Sequence, residues 1–190
     1  MKPELFEFTS MPRIATERLV LREVRPEADV SRLFDLFADP DVARYTDTGP
    51  FTGIDEATEV MDWIEQIFAG RRGMRWVIAE RADEEALIGT CGFNRWRRWN
   101  DSAEMGYDLM QHFWGRGLMT EALSAIIRFG FDRMALNRIE ADVTVGNGRS
   151  ARVLAKLGFA EEGVLRQRGK WKGDYHDLRM FSLLRAEWQH

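Results

Sequence analysis

A chain of 190 residues with 45% hydrophobic content can bury one core and is short for two. Its 27 Lys and Arg against 31 Asp and Glu leave a net charge of -4, which excludes a strong overall field for nucleic acid or an anionic membrane. A lone cysteine, Cys91, excludes an intrachain disulfide, and His112, His176 and His190 lack metal-ligand spacing, so no metal is expected. Met1 to Glu7 carries no signal-peptide run and no stretch is apolar for long enough to cross a bilayer, so a soluble, cytoplasmic protein is expected. It should form one domain over 1–190, with its core at about 14–188.

In chain order, Arg18 to Val24 alternates as a strand, and Pro26 with Asp29 opens a helix through Leu33, Phe34 and Phe37 that Asp39-Pro40 stops. Asp55 to Ala69 repeats apolar groups at Val60, Trp63, Ile64 and Ile67 with a helical period, and Gly70 ends it. Met74 to Glu80 and Ala86 to Phe93 read as strands joined by Ala82-Asp83-Glu84-Glu85. The turn Asn100-Asp101-Ser102 then leads into the strand Ala103 to Leu109, completing an antiparallel meander. A helix from Thr120 to about Met134 buries Leu123, Ile126, Ile127 and Phe131. The strand Arg138 to Thr144 turns Ile139, Ala141 and Val143 to one face and Glu140, Asp142 and Thr144 to the other. Asn147 caps a helix whose stripe is Val153, Leu154 and Leu157; Gly158 stops it and Phe159 packs back. Strands at about Ala160 to Gln167 and Asp177 to Leu184 flank Lys170-Trp171-Lys172-Gly173-Asp174 and suggest a closing hairpin.

The chemistry concentrates in Trp114-Gly115-Arg116-Gly117-Leu118-Met119-Thr120-Glu121-Ala122, directly after the strand Ala103 to Met110. Two glycines one residue apart let the backbone turn tightly and approach a ligand, and the helix that follows begins with amides that have no partner within it. Unpaired N–H groups at a positive dipole end suit an anion, most naturally a phosphate. Gly117→Val is therefore expected to weaken ligand binding with little effect on folding.

Five segments in this order resemble the GNAT superfamily of acyl-CoA-dependent N-acyltransferases, in particular its RimJ/RimL-type branch: Thr16-Glu17-Arg18-Leu19-Val20-Leu21-Arg22, Ala103-Glu104-Met105-Gly106-Tyr107, the Trp114–Gly117 loop, Asn147…Ser150…Leu157-Gly158-Phe159, and Leu183-Leu184-Arg185-Ala186-Glu187-Trp188. The family's pyrophosphate loop is Gln/Arg-x-x-Gly-x-Gly/Ala; here His112 holds the first place, with Gln111 beside it. The resemblance implies an α/β (α+β mixed) GNAT fold, a twisted mixed sheet of six or seven strands flanked by helices, with two parallel central strands that splay apart. It implies acetyl-CoA as co-substrate, with pantetheine on the backbone of Leu109 and Met110, pyrophosphate on the amides of Gly115, Arg116, Gly117, Leu118, Met119 and Thr120, and Asn147 at the edge of the splay. Arg116 reads equally as a phosphate partner or a solvated surface arginine, and Asn147 as a helix cap.

A primary amine is mostly protonated at neutral pH, so a carboxylate is a useful general base. Glu104 is the first choice, matching the branch's strand glutamate; its alternative reading is an exposed strand carboxylate or ion-pair partner. Asp142 is second, on the other splayed strand. The resemblance gives the leaving thiolate's acid to a tyrosine seven residues after Asn147, but Leu154 stands there, and Ser150 is the nearest polar candidate, as in the RimL-like branch. An amide near Leu109 or Met110 would meet the developing oxyanion.

The expected activity is acetyl transfer from acetyl-CoA to a primary amine by direct attack, the acceptor being a protein N-terminal amine, as in ribosomal-protein acetylation, or a small-molecule amine. The alternatives are a non-catalytic acyl-CoA-binding or sensing domain, and an RNA-associated module using the segment Arg95-Trp96-Arg97-Arg98-Trp99, whose interleaved arginines and tryptophans could stack on bases. The acidic balance disfavours nucleic acid, and a hairpin tip with two tryptophans better suits a core edge or a homodimer contact.

Overall fold

Strands rich in β-branched and aromatic residues and helices with one apolar stripe assemble here into a single sheet flanked by helices, seen in a computed structural model that describes residues 8–189. The leader reading of Met1 to Glu7, and His190, lie outside the described residues. The strands are β1 (Ile14–Ala15), β2 (Leu19–Arg22), β3 (Met74–Glu80), β4 (Asp83–Arg97), β5 (Ser102–Leu109), β6 (Arg138–Thr144), β7 (Ala160–Trp171) and β8 (Asp174–Leu184). They lie in the order β1-β2-β3-β4-β5-β6-β8-β7. Neighbours are antiparallel except β5 and β6, which run parallel and pair only at Ser102↔Arg138, Ala103↔Ile139 and Glu104↔Glu140. Beyond those three pairs the two strands part, and the gap between them opens toward Leu109.

The sheet has eight strands rather than six or seven. The addition is β1, a two-residue pairing of Ile14 and Ala15 against Leu21 and Val20, too short for any alternation to show in sequence. The β3–β4 hairpin turns at Arg81-Ala82, with β4 already paired at Asp83, not over 82–85. The closing hairpin is also longer than expected: its turn is Lys172-Gly173, both at positive φ (54° and 84°), a conformation suited to a two-residue hairpin loop.

Helices α1 (Pro26–Ala38), α2 (Pro40–Ala43), α3 (Ile54–Ala69), α4 (Leu118–Arg133) and α5 (Gly148–Lys156) complete the chain. Asp39-Pro40 ends α1 and also begins α2: the Asp39 side chain accepts the Asp41 amide at 2.8 Å while Pro40 occupies the first turn, where a missing N–H costs nothing. Strand pairing fixes the faces of the sheet. Trp76, Cys91, Met105 and Tyr107 point to the face covered by α4, where Trp76 meets Phe129 edge-on at 5.5 Å. Gly130 permits this close approach, since a Cβ there would lie 2.8 Å from the Phe93 ring. Each large side chain buried in this layer contributes about 1.5–3 kcal/mol. The opposite face carries Arg75, Thr90, Glu104, Gly106, Asp108, Glu140 and Asp142, and Trp63 of α3 lies over Arg75. No helix of the described residues is long and apolar enough to cross a membrane.

Candidate active site

The gap between β5 and β6 leads into a cavity of about 1060 Å³ lined from both faces of the sheet. Its walls include Glu104, Asp108, Leu109, Gly115, Gly117, Asp142, Asn147 and Ser150, so strands, glycine loop and α5 converge on one space. Leu118, Met119 and Thr120 also line it.

Of the two backbone positions singled out at the end of β5, one faces the gap. The Met110 amide donates to the Ile88 carbonyl at 2.9 Å and is therefore turned toward β4. Successive amides of a strand point to opposite sides, so the Leu109 amide points into the gap. The Leu109 carbonyl accepts the Trp114 indole N–H at 2.7 Å, which ties the strand end to the glycine loop.

That loop is shaped by backbone conformation rather than crowding. Gly115 and Gly117 have φ of 76° and 77°, while among the described residues a Cβ at Gly115 would meet nothing within 4 Å and one at Gly117 only the Arg18 guanidinium at 3.6 Å. Both glycines are there for the left-handed region, which side chains enter at a cost of about 1–2 kcal/mol. Gly117 is the residue before α4, so the helix starts at Leu118, not Thr120, and the residues of its first turn, whose amides have no partner within the helix, line the cavity. The loop is braced by long-range contacts from the Thr16 to Arg22 segment, which the sequence shows only as part of a family pattern. Glu121 accepts the Thr16 hydroxyl at 2.6 Å, the Arg18 amide at 2.8 Å and the Arg18 guanidinium at 2.6 Å, and Arg18 also donates to the Arg116 carbonyl at 3.0 Å. Burial works to raise the Glu121 carboxyl, but these donors outweigh it and hold it below the ordinary range. Arg116 itself reaches Glu80 at 3.1 Å on the surface.

The two carboxylates flanking the gap differ in their surroundings. Glu104 lies 3.4 Å from Arg97 and 4.0 Å from Arg95, and Arg97 also binds Glu140 at 2.8 Å. Burial raises the Glu140 carboxyl, but Arg138 and Arg97 more than compensate and hold it low. Asp142 has a carboxylate oxygen, Oδ1, that is sealed from solvent and has no hydrogen bond among the described residues. Burial, reinforced by the charge of Glu104, pushes the Asp142 carboxyl above its ordinary value. The segment 94–99 is divided: Arg97 is engaged by the carboxylates, Arg98 lies over Trp96 at 4.1 Å, and Trp99 is 84% exposed.

On the other face, Asn147 caps α5 by accepting the Ser150 amide at 3.1 Å. The Ser150 hydroxyl lies 2.6 Å from the Tyr107 phenol, and Leu154 is fully buried. A buried cluster that sequence reasoning missed is Arg75, bonded to Thr90, to Asn94 and, in an ion pair, to Asp108. Burial raises the Asp108 carboxyl against the pull of Arg75. Its sequence signal was an arginine inside an otherwise apolar strand run.

A family model described as acetyltransferase (GNAT) domain matches residues 18–160. The chain belongs to the GNAT acetyltransferase family. This GNAT chain is 39% identical over 178 residues to an uncharacterized N-acetyltransferase, p20, of Bacillus licheniformis, covering 94% of this chain and 99% of that protein. It is 35% identical over 107 residues to the [ribosomal protein uS5]-alanine N-acetyltransferase of Escherichia coli (strain K12), covering 56% of this chain and 55% of that one. Among solved structures, a GNAT-family acetyltransferase from Bacillus anthracis superimposes with a TM-score of 0.80 at 23% identity, over 93% of this chain and 100% of the other. RimL, a ribosomal L7/L12 α-N-protein acetyltransferase solved with coenzyme A, does so with a TM-score of 0.80 at 24% identity, over 91% and 98%. These two likenesses establish the GNAT fold, with the splayed parallel pair β5–β6 at its centre.

Proposed function

We propose that the protein transfers the acetyl group of acetyl-CoA to a primary amine by direct attack while both are bound. The observation that carries this is the convergence, on one cavity, of a glycine loop held at positive φ, the gap-facing Leu109 amide and an under-solvated carboxylate. The amides of Gly115 to Thr120 and the positive end of α4 receive the carrier's diphosphate. Asn147 borders the acyl arm at the mouth of the splay.

The roles on the two faces follow from strand alternation. Asp142 takes the amine's proton, directly or through water, because burial has made it a stronger base than an ordinary aspartate. Glu104, beside it and paired with Arg97, holds negative charge at the acceptor's approach; this reverses the order in which the two are ranked from sequence. The Leu109 amide meets the charge that develops on the carbonyl oxygen. Ser150, across the gap, faces the departing sulfur. The names of the ribosomal-protein acetyltransferase relatives favour a protein N-terminal amine as acceptor over a small-molecule amine. Isotope-labelled acetyl-CoA with a panel of N-terminal peptides, polyamines and amino acids tests the reading: transfer to one class well above the uncatalysed rate is expected. Binding of CoA without transfer to any of them would instead make this a non-catalytic acyl-CoA-binding domain.

A further inference from the structure

Tyr107 lies at the gap and has no role in the reaction proposed above. It stands on β5 two residues before Leu109, on the face that α5 covers. Its phenolic oxygen is 2.6 Å from Ser150 Oγ and 3.3 Å from the Ser150 carbonyl. Burial pushes its pKa up to about 12; the Ser150 hydrogen bond pulls against this and the charge of Asp108 adds to it. The phenol therefore stays neutral, and keeps its proton to donate, throughout the physiological range. The single phenolic hydrogen has two acceptors in reach, the Ser150 carbonyl and the nearer Ser150 Oγ; because the phenol is the more acidic of the two hydroxyls, we assign its hydrogen to Oγ. The serine backbone is fixed independently by the Asn147 cap, and Ser150 and Tyr107 both line the cavity. With its lone pair engaged by Tyr107, the Ser150 hydroxyl has its own hydrogen left to direct elsewhere.

We propose that Tyr107 is a positioning residue that orients the Ser150 hydroxyl so that its hydrogen points into the cavity, at the sulfur released when the acetyl group is transferred. The inference rests on the acetyl-transfer reading above. As the C–S bond breaks, its electron pair passes to sulfur, where the Ser150 O–H stabilises it. The amine's proton passes to Asp142 and then to solvent, sulfur is protonated by solvent as CoA leaves, and Tyr107 and Ser150 keep their own protons. This arrangement replaces, through two side chains, the single tyrosine expected at position 154, where Leu154 is fully buried.

The test follows the thiol of CoA bound to the full-length protein, by the ultraviolet absorbance of its thiolate as a function of pH. The bound thiol should titrate below free CoA in the parent. Y107F and S150A should each raise it toward the free value, and the double variant should go no further than S150A alone. With acetyl-CoA and an accepted amine, Y107F should lower kcat about tenfold with KM for acetyl-CoA within about twofold, the scale of one lost hydrogen bond to a charged group. A purely structural tyrosine would not move the thiol titration. Arg149, Arg152 and Lys156 also line the cavity but are present in every variant, so they drop out of the differences. Bound CoA whose thiol titrates alike in parent, Y107F and S150A would overturn this proposal alone. Failure of the parent to bind CoA would overturn the acetyl-transfer reading and this proposal with it.

Discussion

Asp142 and Glu104 share one face of the gap, yet only Asp142 combines a solvent-sealed, unbonded carboxylate oxygen with an upward shift. D142N should lower kcat at least about a hundredfold, the lower end of the range for loss of a general base, and remove an acidic limb that lies above the ordinary aspartate range in the parent. E104Q should lower turnover less and leave that limb in place. The same shift has a stability consequence. A carboxyl raised on folding binds more protons native than unfolded between its two pKa values, so stability falls as pH rises through that window and stays lower at neutrality. D142N should therefore melt above the parent at pH 7, and the difference should vanish below the ordinary aspartate pKa of about 3.9. A melting temperature for D142N equal to or below the parent's at pH 7 would contradict this. Strand alternation in the sequence places Glu140, Asp142 and Thr144 on one face, and the structure does the same. What it could not reveal is the neighbour of Glu104: a bulge between Phe93 and Arg95 shifts the register, bringing Arg95 opposite Glu104 and Arg97 within reach. A single inserted residue leaves no trace in an apolar pattern.

Among the elements, the turn from β5 to α4 carries the most conformational constraint. Val at Gly117 would not leave folding untouched, as its sequence setting suggests, because φ of 77° is closed to a β-branched residue. The milder G117A should cost about 1–2 kcal/mol of stability and also weaken CoA binding, measured by melting and calorimetry on the same preparation. E121Q, which removes the charge that holds Thr16 and Arg18, should weaken CoA binding with a smaller loss of stability. At the other end of the sheet, Arg22 and Asp29 form a bidentate pair at 2.7 Å with the side chains 4% and 0% exposed. Arg22 also donates to the Glu84 and Glu85 carbonyls, so the pair joins β2, the start of α1 and the β3–β4 hairpin. D29N leaves a buried guanidinium without its counter-charge and should destabilise by about 3–5 kcal/mol in denaturant titrations. The glycine loop and both caps of α5 were legible because turn and cap chemistry is local. The Thr16–Arg18–Glu121 brace spans more than a hundred positions and was visible only as part of a family pattern.

At the scale of the whole molecule, the sheet carries Glu104, Asp108, Glu140 and Asp142 on the side of α3 and Tyr107 on the side of α4 and α5, with the splay joining the two. Cys91 lies inside the layer under α4, where burial pushes its thiol up to about 12, so thiol reagents should label it only on unfolding. The alternation of strands and helices could be anticipated because a meander, a glycine turn and a crossover helix come in order along the chain, whereas the splayed pair followed from the family resemblance alone. The acceptor could not be anticipated, because the outer walls of the cavity come from α2, α3, β3 and the closing hairpin, segments that carry no specific motif. Trp171 reaches that wall, stacked on His176 at 4.3 Å, while Lys172 anchors the hairpin tip to the Ala43 carbonyl at 2.7 Å. The most direct test of the acyl-carrier site is backbone amide chemical shifts on titration with CoA. The largest changes should fall on Gly115, Arg116, Gly117, Leu118, Met119, Thr120 and Leu109, with Met110, bonded to Ile88, moving less. Saturable binding that leaves those amides unmoved and shifts another surface, or no binding at millimolar CoA, would contradict it.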